Sequence, residues 1–187
     1  MKNITLYNAD RTDHLIWPSD FQEVSASSTA LSVFTDFRQH EPAIIDADTK
    51  ALDAEQIMRR SHQRLKLVLN GQGEFVGILS LEDLSDHELI KKVANGHNRN
   101  ELTVTDMMQR RDRLKVLDYH DLEVMTVAEV LDLLKQYGDE HCLVVEREQH
   151  EIRGIISARE IARLLNIPLS ISRPPKFAEV YLAAIRR

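Results

Sequence analysis

The sequence predicts an α+β fold in which one small unit is used twice and the two copies pack sheet to sheet. Three matches carry this reading. Phe75–Leu84 lines up with Ile152–Ile161 at the spacing of Gly77 to Gly154. Upstream, Ala54-Glu55-Gln56-Ile57 lines up with Ala128-Glu129-Val130-Leu131, and further upstream Thr35-Asp36 lines up with Thr105-Asp106. The matches keep one order and their spacing grows slowly, as a duplication with small loop insertions would leave it. The organisation read from them is an extension over 1–30, a first unit over 31–100, a second over 101–168 and a terminal helix over 169–187.

Each unit reads as strand, helix, strand, strand, helix. In the first, Pro42-Ala43-Ile44-Ile45 is a short apolar strand, and Asp48 or Thr49 opens a helix to about Arg60. Leu65–Leu69 and Phe75–Leu79 form a hairpin around Asn70-Gly71-Gln72-Gly73, whose residues tolerate positive φ. Ser80 opens a helix ending near Asn95-Gly96. In the second unit Leu114–Leu117 is the first strand. Thr126 and Glu129 make a capping box for a helix with Val127, Val130, Leu131 and Leu134 on one face, closed by Gly138. Cys142–Val145 and Ile152–Ile156 form the second hairpin, and a helix from Ser157 stops before Pro168.

A lone unit of about 60 residues buries too little surface to be comfortable by itself. Its sheet has one face under helices and another that needs an apolar partner, which the sibling unit supplies. Beyond the pair, Trp17-Pro18 and the polar Ser25–Thr29 belong to an arm. After Pro174-Pro175, a helix carries Phe177, Val180, Tyr181 and Ala184 on one stripe.

Composition narrows the function. With 24 Lys+Arg against 30 Asp+Glu, the net charge of −6 disfavours phosphate backbones and anionic membranes as partners. One cysteine, Cys142, fits a reducing compartment, and the opening residues carry no apolar leader, so a cytoplasmic location is expected. The eight histidines have no metal-ligand spacing. Gly71-x-Gly73-x-x-x-Gly77 has the wrong spacing and setting for a dinucleotide fingerprint. His141 and Cys142 are adjacent on a strand and point to opposite faces, so they form no catalytic dyad. No nucleophile, metal set or acid–base pair suggests an enzyme.

The duplicated unit, with Gly-hydrophobic-x-Ser-x-x-Asp closing its third strand (Gly77–Asp83), resembles the CBS domain, and the two in tandem resemble a CBS pair, or Bateman module. Ala30–Phe37 and His150–Gly154 are similar to a proteobacterial group of stand-alone CBS-pair proteins. The resemblance implies two CBS domains with pseudo-twofold symmetry and a regulatory ligand containing adenosine (AMP, ADP or ATP) in a cleft between the sheets. It also implies a homodimer formed through the CBS helices and a protein partner that reads occupancy.

The same resemblance nominates residues. Asp83 would accept from both ribose hydroxyls, and Ser80 would meet a phosphate at a helix start. Gly77 lets a ligand or the opposing backbone come close, with Ile78 beside it. The adenine slot of the first copy is assigned to Ala43, Ile44, Gln63, Arg64 and Leu65, and that of the second to Lys115, Val116, Glu140, His141 and Cys142. Thr35 and Thr105 are the hydroxyl residues ahead of the first strands, and Ser157 and Glu160 repeat Ser80 and Asp83. Ser80-x-x-Asp83 and Ser157-x-x-Glu160 also read as capping boxes, and Thr35 and Thr105 as N-caps. Glu160, one methylene longer than aspartate, and the bulky anion Glu140 make the Asp83 cleft the better adenosine site; the alternative is a structural or interaction CBS pair that has lost ligand binding in one or both clefts.

Overall fold

The structure is a computed structural model that describes residues 23–169; the arm before Glu23 and the expected helix after Pro174-Pro175 lie outside the described residues. A short 3-10 turn, Ala30–Val33, leads into β1 (Phe34–Asp36). Then come β2 (Ile44–Asp46), α1 (Ala51–Arg60), β3 (Leu65–Leu69), β4 (Phe75–Ser80) and α2 (Asp86–Ala94). The second half has α3 (Val104–Met107), β5 (Gln109–Arg110), β6 (Val116–Asp118), α4 (Tyr119–Val124), α5 (Val127–Tyr137), β7 (His141–Glu146), β8 (Glu151–Ser157) and α6 (Ala158–Leu164).

These strands form two four-stranded sheets ordered β2-β3-β4-β5 and β6-β7-β8-β1. In each, the first pair is parallel and the others antiparallel. The halves therefore exchange strands: β1, which precedes the first repeat, completes the second sheet, and β5, which precedes the second repeat, completes the first. Glycine makes both joins possible. A Cβ on Gly77 would sit 2.3 Å from the Gln109 carbonyl oxygen, and one on Gly154 would sit 2.2 Å from that of Thr35. The opposing backbone, rather than a ligand, is what Gly77 admits.

The strand pairing and the helix caps each correct one repeat alignment. Thr35 pairs with Ile155 and Gln109 with Ile78, so the counterpart of Thr35 is Gln109. Thr105 lies four residues earlier, on α3, where its hydroxyl donates to the Ala47 carbonyl at 2.9 Å. In the helices, N-caps Lys50 and Thr126 correspond, and buried Ala54 and Met58 match buried Val130 and Leu134. The Ala-Glu identity is thus two residues out of register with the burial pattern.

Among the described residues, three apolar clusters form the core. Met58, Val68, Leu79 and Leu84 are fully buried under the first sheet, and Val130, Val144, Ile156 and Ile161 under the second; each contributes about 1.5–3 kcal/mol of transfer free energy. Between the sheets, Leu67 and Ile78 meet Leu143, with Phe75, Ile152 and Ile155 around them. The third cluster is the sheet-to-sheet contact the duplication implies.

Caps follow the sequence where side chains permit. Thr126 and Glu129 make the expected capping box, and Gly138 ends α5 in the left-handed region at φ 69°. Lys50, not Asp48 or Thr49, precedes α1 and makes no side-chain cap bond. The helix expected from Ser80 starts only at Asp86, because Leu81–Leu84 form a turn first. The first strands are shorter and later than expected, and α4 is an addition peculiar to the second half.

Candidate functional site

Ser80 and Asp83 close the turn after β4 and are almost fully buried, 4% and 7% exposed. The Asp83 Oδ2 accepts from the Ser80 backbone N–H at 2.9 Å and from its hydroxyl at 2.6 Å, while the Ser80 hydroxyl accepts from the Asp83 N–H at 3.2 Å. The reciprocal bonding expected of a capping box is present, but it fixes a turn. The Gln109 side-chain amide donates to Asp83 Oδ1 at 3.4 Å. Oδ1 therefore faces the strand that arrives from the other repeat.

Beside this turn lies a cavity of about 290 Å3 that bridges the halves. Ser80, Glu82 and Gln109 line it from the first sheet, and Asp139, Glu140 and His141 from the loop entering β7. Leu65 and Ile78 give it an apolar wall. Asp139 also borders a second cavity of about 200 Å3, where Lys115, Val116 and Cys142 meet. The nominated residues thus combine crosswise. Ser80 shares its cavity with Glu140 and His141, assigned from sequence to the other slot, and not with Ala43 or Ile44. Sheet-to-sheet packing around Leu67, Ile78 and Leu143 brings the start of β7 near the end of β4, and the strand exchange adds Gln109 from the linker ahead of the second repeat. Glu82, Gln109 and Asp139 were not singled out from the sequence; Gln109 arrives only through the long-range pairing of β5 with β4.

The charges near the pseudo-twofold axis alternate. Arg64 pairs with Glu82 in the first half, and Arg159 pairs with Glu140 at 3.3 Å in the second. Arg64 and Glu140 each precede the second strand of their unit, and Glu82 and Arg159 each sit two residues past the motif serine, so equivalent positions carry opposite charges. Burial pushes the Glu82 carboxyl up, but its own backbone N–H and the Arg64 guanidinium outweigh that and hold it below the usual carboxylate range. Burial pushes His141 below the ordinary imidazole value despite Glu140 and Glu82 nearby. The ring at the cavity wall is therefore neutral near pH 7.

The remaining nominated residues lie outside this cavity. Thr35 is exposed on β1, Ile44 is 51% exposed on β2 and Val116 49% exposed on β6. Ser157 caps α6 by accepting from the Glu160 N–H at 3.4 Å. The Glu160 carboxylate turns away to Arg163, at 2.5 and 3.0 Å. The Arg163 guanidinium and that hydrogen bond hold Glu160 below the usual range.

Burial pushes the Cys142 thiol up to about 11, so no thiolate is available. Among the described residues, no group of three His, Cys, Asp or Glu is placed to hold a metal ion, and no helix is long and apolar enough to cross a membrane.

Comparison with known proteins defines the class. The family described as the CBS domain matches residues 34–89 and again 104–167, so the chain belongs to the CBS-domain family and carries two copies in tandem. An uncharacterized conserved protein from Pyrococcus horikoshii superposes with a TM-score of 0.56 at 17% identity, over 80% of this chain and 100% of that one. A CBS-domain containing protein from Agrobacterium tumefaciens gives 0.54 at 17% identity, over 77% and 96%. CBSX2, solved in complex with AMP, gives 0.51 at 19% identity, over 73% and 94%. At these identities the likeness establishes the fold. Among curated proteins, no sequence matches.

Proposed function

We propose that this CBS pair is a cytoplasmic, non-catalytic regulatory module. An adenosine-containing ligand (AMP, ADP or ATP) enters the cleft between Ser80 and His141, and occupancy is passed to a protein partner through a homodimer built on the CBS helices. The observation that carries this reading is the cavity of about 290 Å3 lined by both halves. That size is near the lower end of the range of small-molecule sites, about 300–1,000 Å3. The CBSX2 complex with AMP supports the ligand class.

In this reading Asp83 keeps its Oδ2 bonds to Ser80, and Oδ1 exchanges the long Gln109 contact for a ribose hydroxyl. Neutral His141 and Ile78 offer an edge and a flat apolar wall to the base. Because the site is made by two halves, a ligand that binds one relative arrangement better shifts the population toward it. Micromolar affinity, about 8 kcal/mol, is adequate for an abundant metabolite.

One observation favours an interaction role for the second motif: Glu160 spends its carboxylate on Arg163 and Arg159 on Glu140. One ligand per chain is therefore expected. A thermal-shift series with AMP, ADP, ATP and adenosine tests the function. At least one should raise the melting temperature with saturation, and Asp83→Asn should reduce that rise. Flat responses to all four would refute ligand sensing.

A further inference from the structure

The two hairpins carry the same β-bulge, and what each bulge aims differs. In the second half the extra residue is Arg153, between the pairs Val144–Gly154 and Val145–Ile152. Its guanidinium donates to Asp36 at 2.8 and 2.9 Å and to Glu146 at 3.2 Å, and lies 4.7 Å from the centre of the Tyr119 ring. A stacked cation and phenol thus fill the space between hairpin, added strand and the end of β6.

In the first half every member of that plug is replaced. Val76 is the bulge residue, Ala47 stands where Tyr119 does, Asn70 replaces Glu146, and Arg110, opposite Gly77, replaces Asp36, opposite Gly154. The result is a cavity of about 1080 Å3 with Val76, Met108, Ala47 and Phe75 on its apolar side and Arg110 and Arg111 on its rim. Both carboxylates that received the guanidinium are gone, and one has become a cation, so a second arginine side chain is not the matching guest. The vacated ring space remains, with an arginine beside it.

We propose that this outer cavity binds a small planar aromatic anion, its ring over Val76 and Met108 and its negative group on Arg110. Asp48, Glu74 and Asp112 share the rim and disfavour highly charged guests. Arg110 is paired only loosely, at 3.8 Å to Asp112, and its side chain is 63% exposed, so it can turn to a ligand. The site is separate from the Ser80–His141 cleft and does not depend on that cleft binding anything.

The test is calorimetric titration of the full chain with 4-hydroxyphenylacetate, a phenol carrying one carboxylate, repeated with saturating AMP. Saturable binding is expected, weakened about tenfold or more by Arg110→Asp and by Val76→Arg, with unchanged melting temperatures verifying the fold. If Val76→Arg lowers the melting temperature, Arg110→Gln, on an exposed side chain, takes its place. Competition by AMP that also depends on Arg110 would identify a nucleotide as the aromatic anion, and an absence of competition an aromatic carboxylate. No saturable binding, or binding indifferent to Arg110, would overturn the proposal.

Discussion

Arg153 meets Asp36 through two hydrogen bonds, 2.8 and 2.9 Å, and so ties the strand ahead of the first repeat to the third strand of the second. Both side chains are nearly buried, 13% and 12% exposed. Removing Asp36 takes away two of the hydrogen bonds of a largely shielded guanidinium and leaves it Glu146 at 3.2 Å. Asp36→Ala is therefore expected to cost about 2–3 kcal/mol, read as a shift in the urea midpoint, with Arg38→Ala, on a half-exposed side chain, costing about 1 kcal/mol or less.

The same pair sets an acid dependence. The Arg153 guanidinium holds the Asp36 carboxyl down at about 2, from an ordinary 3.8. A carboxyl with a depressed folded value adds stability that is complete above the unfolded value and is lost as pH falls through the folded one. The stability gap between the native chain and Asp36→Asn should be constant above about pH 5 and shrink between about pH 4 and 2. Chemical denaturation of both proteins across that range measures it; a gap that stays constant below pH 3 would contradict the pairing.

The glycines at the two strand joins should not tolerate a methyl group. Gly154→Ala would drive a Cβ into the Thr35 carbonyl oxygen and the Phe34 ring, at 2.2 and 2.4 Å, and Gly77→Ala into the Gln109 carbonyl oxygen at 2.3 Å. A loss of about 2–4 kcal/mol is expected for each, since the obstacle is largely backbone. Gly71→Ala, with nothing within 4 Å of the added carbon, is the control and should stay within about 0.5 kcal/mol. Melting curves of the three variants decide the matter.

How much of this could be read from the sequence depends on the element. The first hairpin, the α5 cap and the paired sheets were legible because the Asn70-Gly71 turn, Thr126–Glu129 and apolar periodicity are local signals, and the second hairpin followed from its two apolar strands. The strand exchange was not, since β5 is two residues long and its partner is 31 residues upstream at the near end. That long-range pairing is why Thr105 took the place of Gln109 in the repeat alignment. The delayed start of α2 escaped for a similar reason: Ser80 and Asp83 make the bonds of a helix cap while closing a turn.

His141 gives a second pH signature. Burial lowers its value below 6.5, so the unfolded chain holds more protons near that pH and stability falls as pH drops through 6.5. His141→Gln should flatten that decline in a pH series of urea midpoints, while His120→Gln, on an exposed ring whose value its Glu123 hydrogen bond raises, should not.

Glu140 reports on the crosswise cleft. If Glu140 faces the same ligand as Ser80, Glu140→Gln should favour AMP over adenosine by about threefold or more, because a nearby like charge is removed. Titrations of both ligands against both proteins give the ratio; an unchanged ratio would separate Glu140 from the Ser80 site.

Crystals of the chain grown with AMP test nucleotide binding most directly. Electron density for adenosine is expected between the Ser80–Asp83 turn and Gly138–His141, with a ribose hydroxyl within hydrogen-bond distance of Asp83 Oδ1. Density confined to the Ile44–Arg64 side, or an empty cleft at saturating AMP, would contradict it.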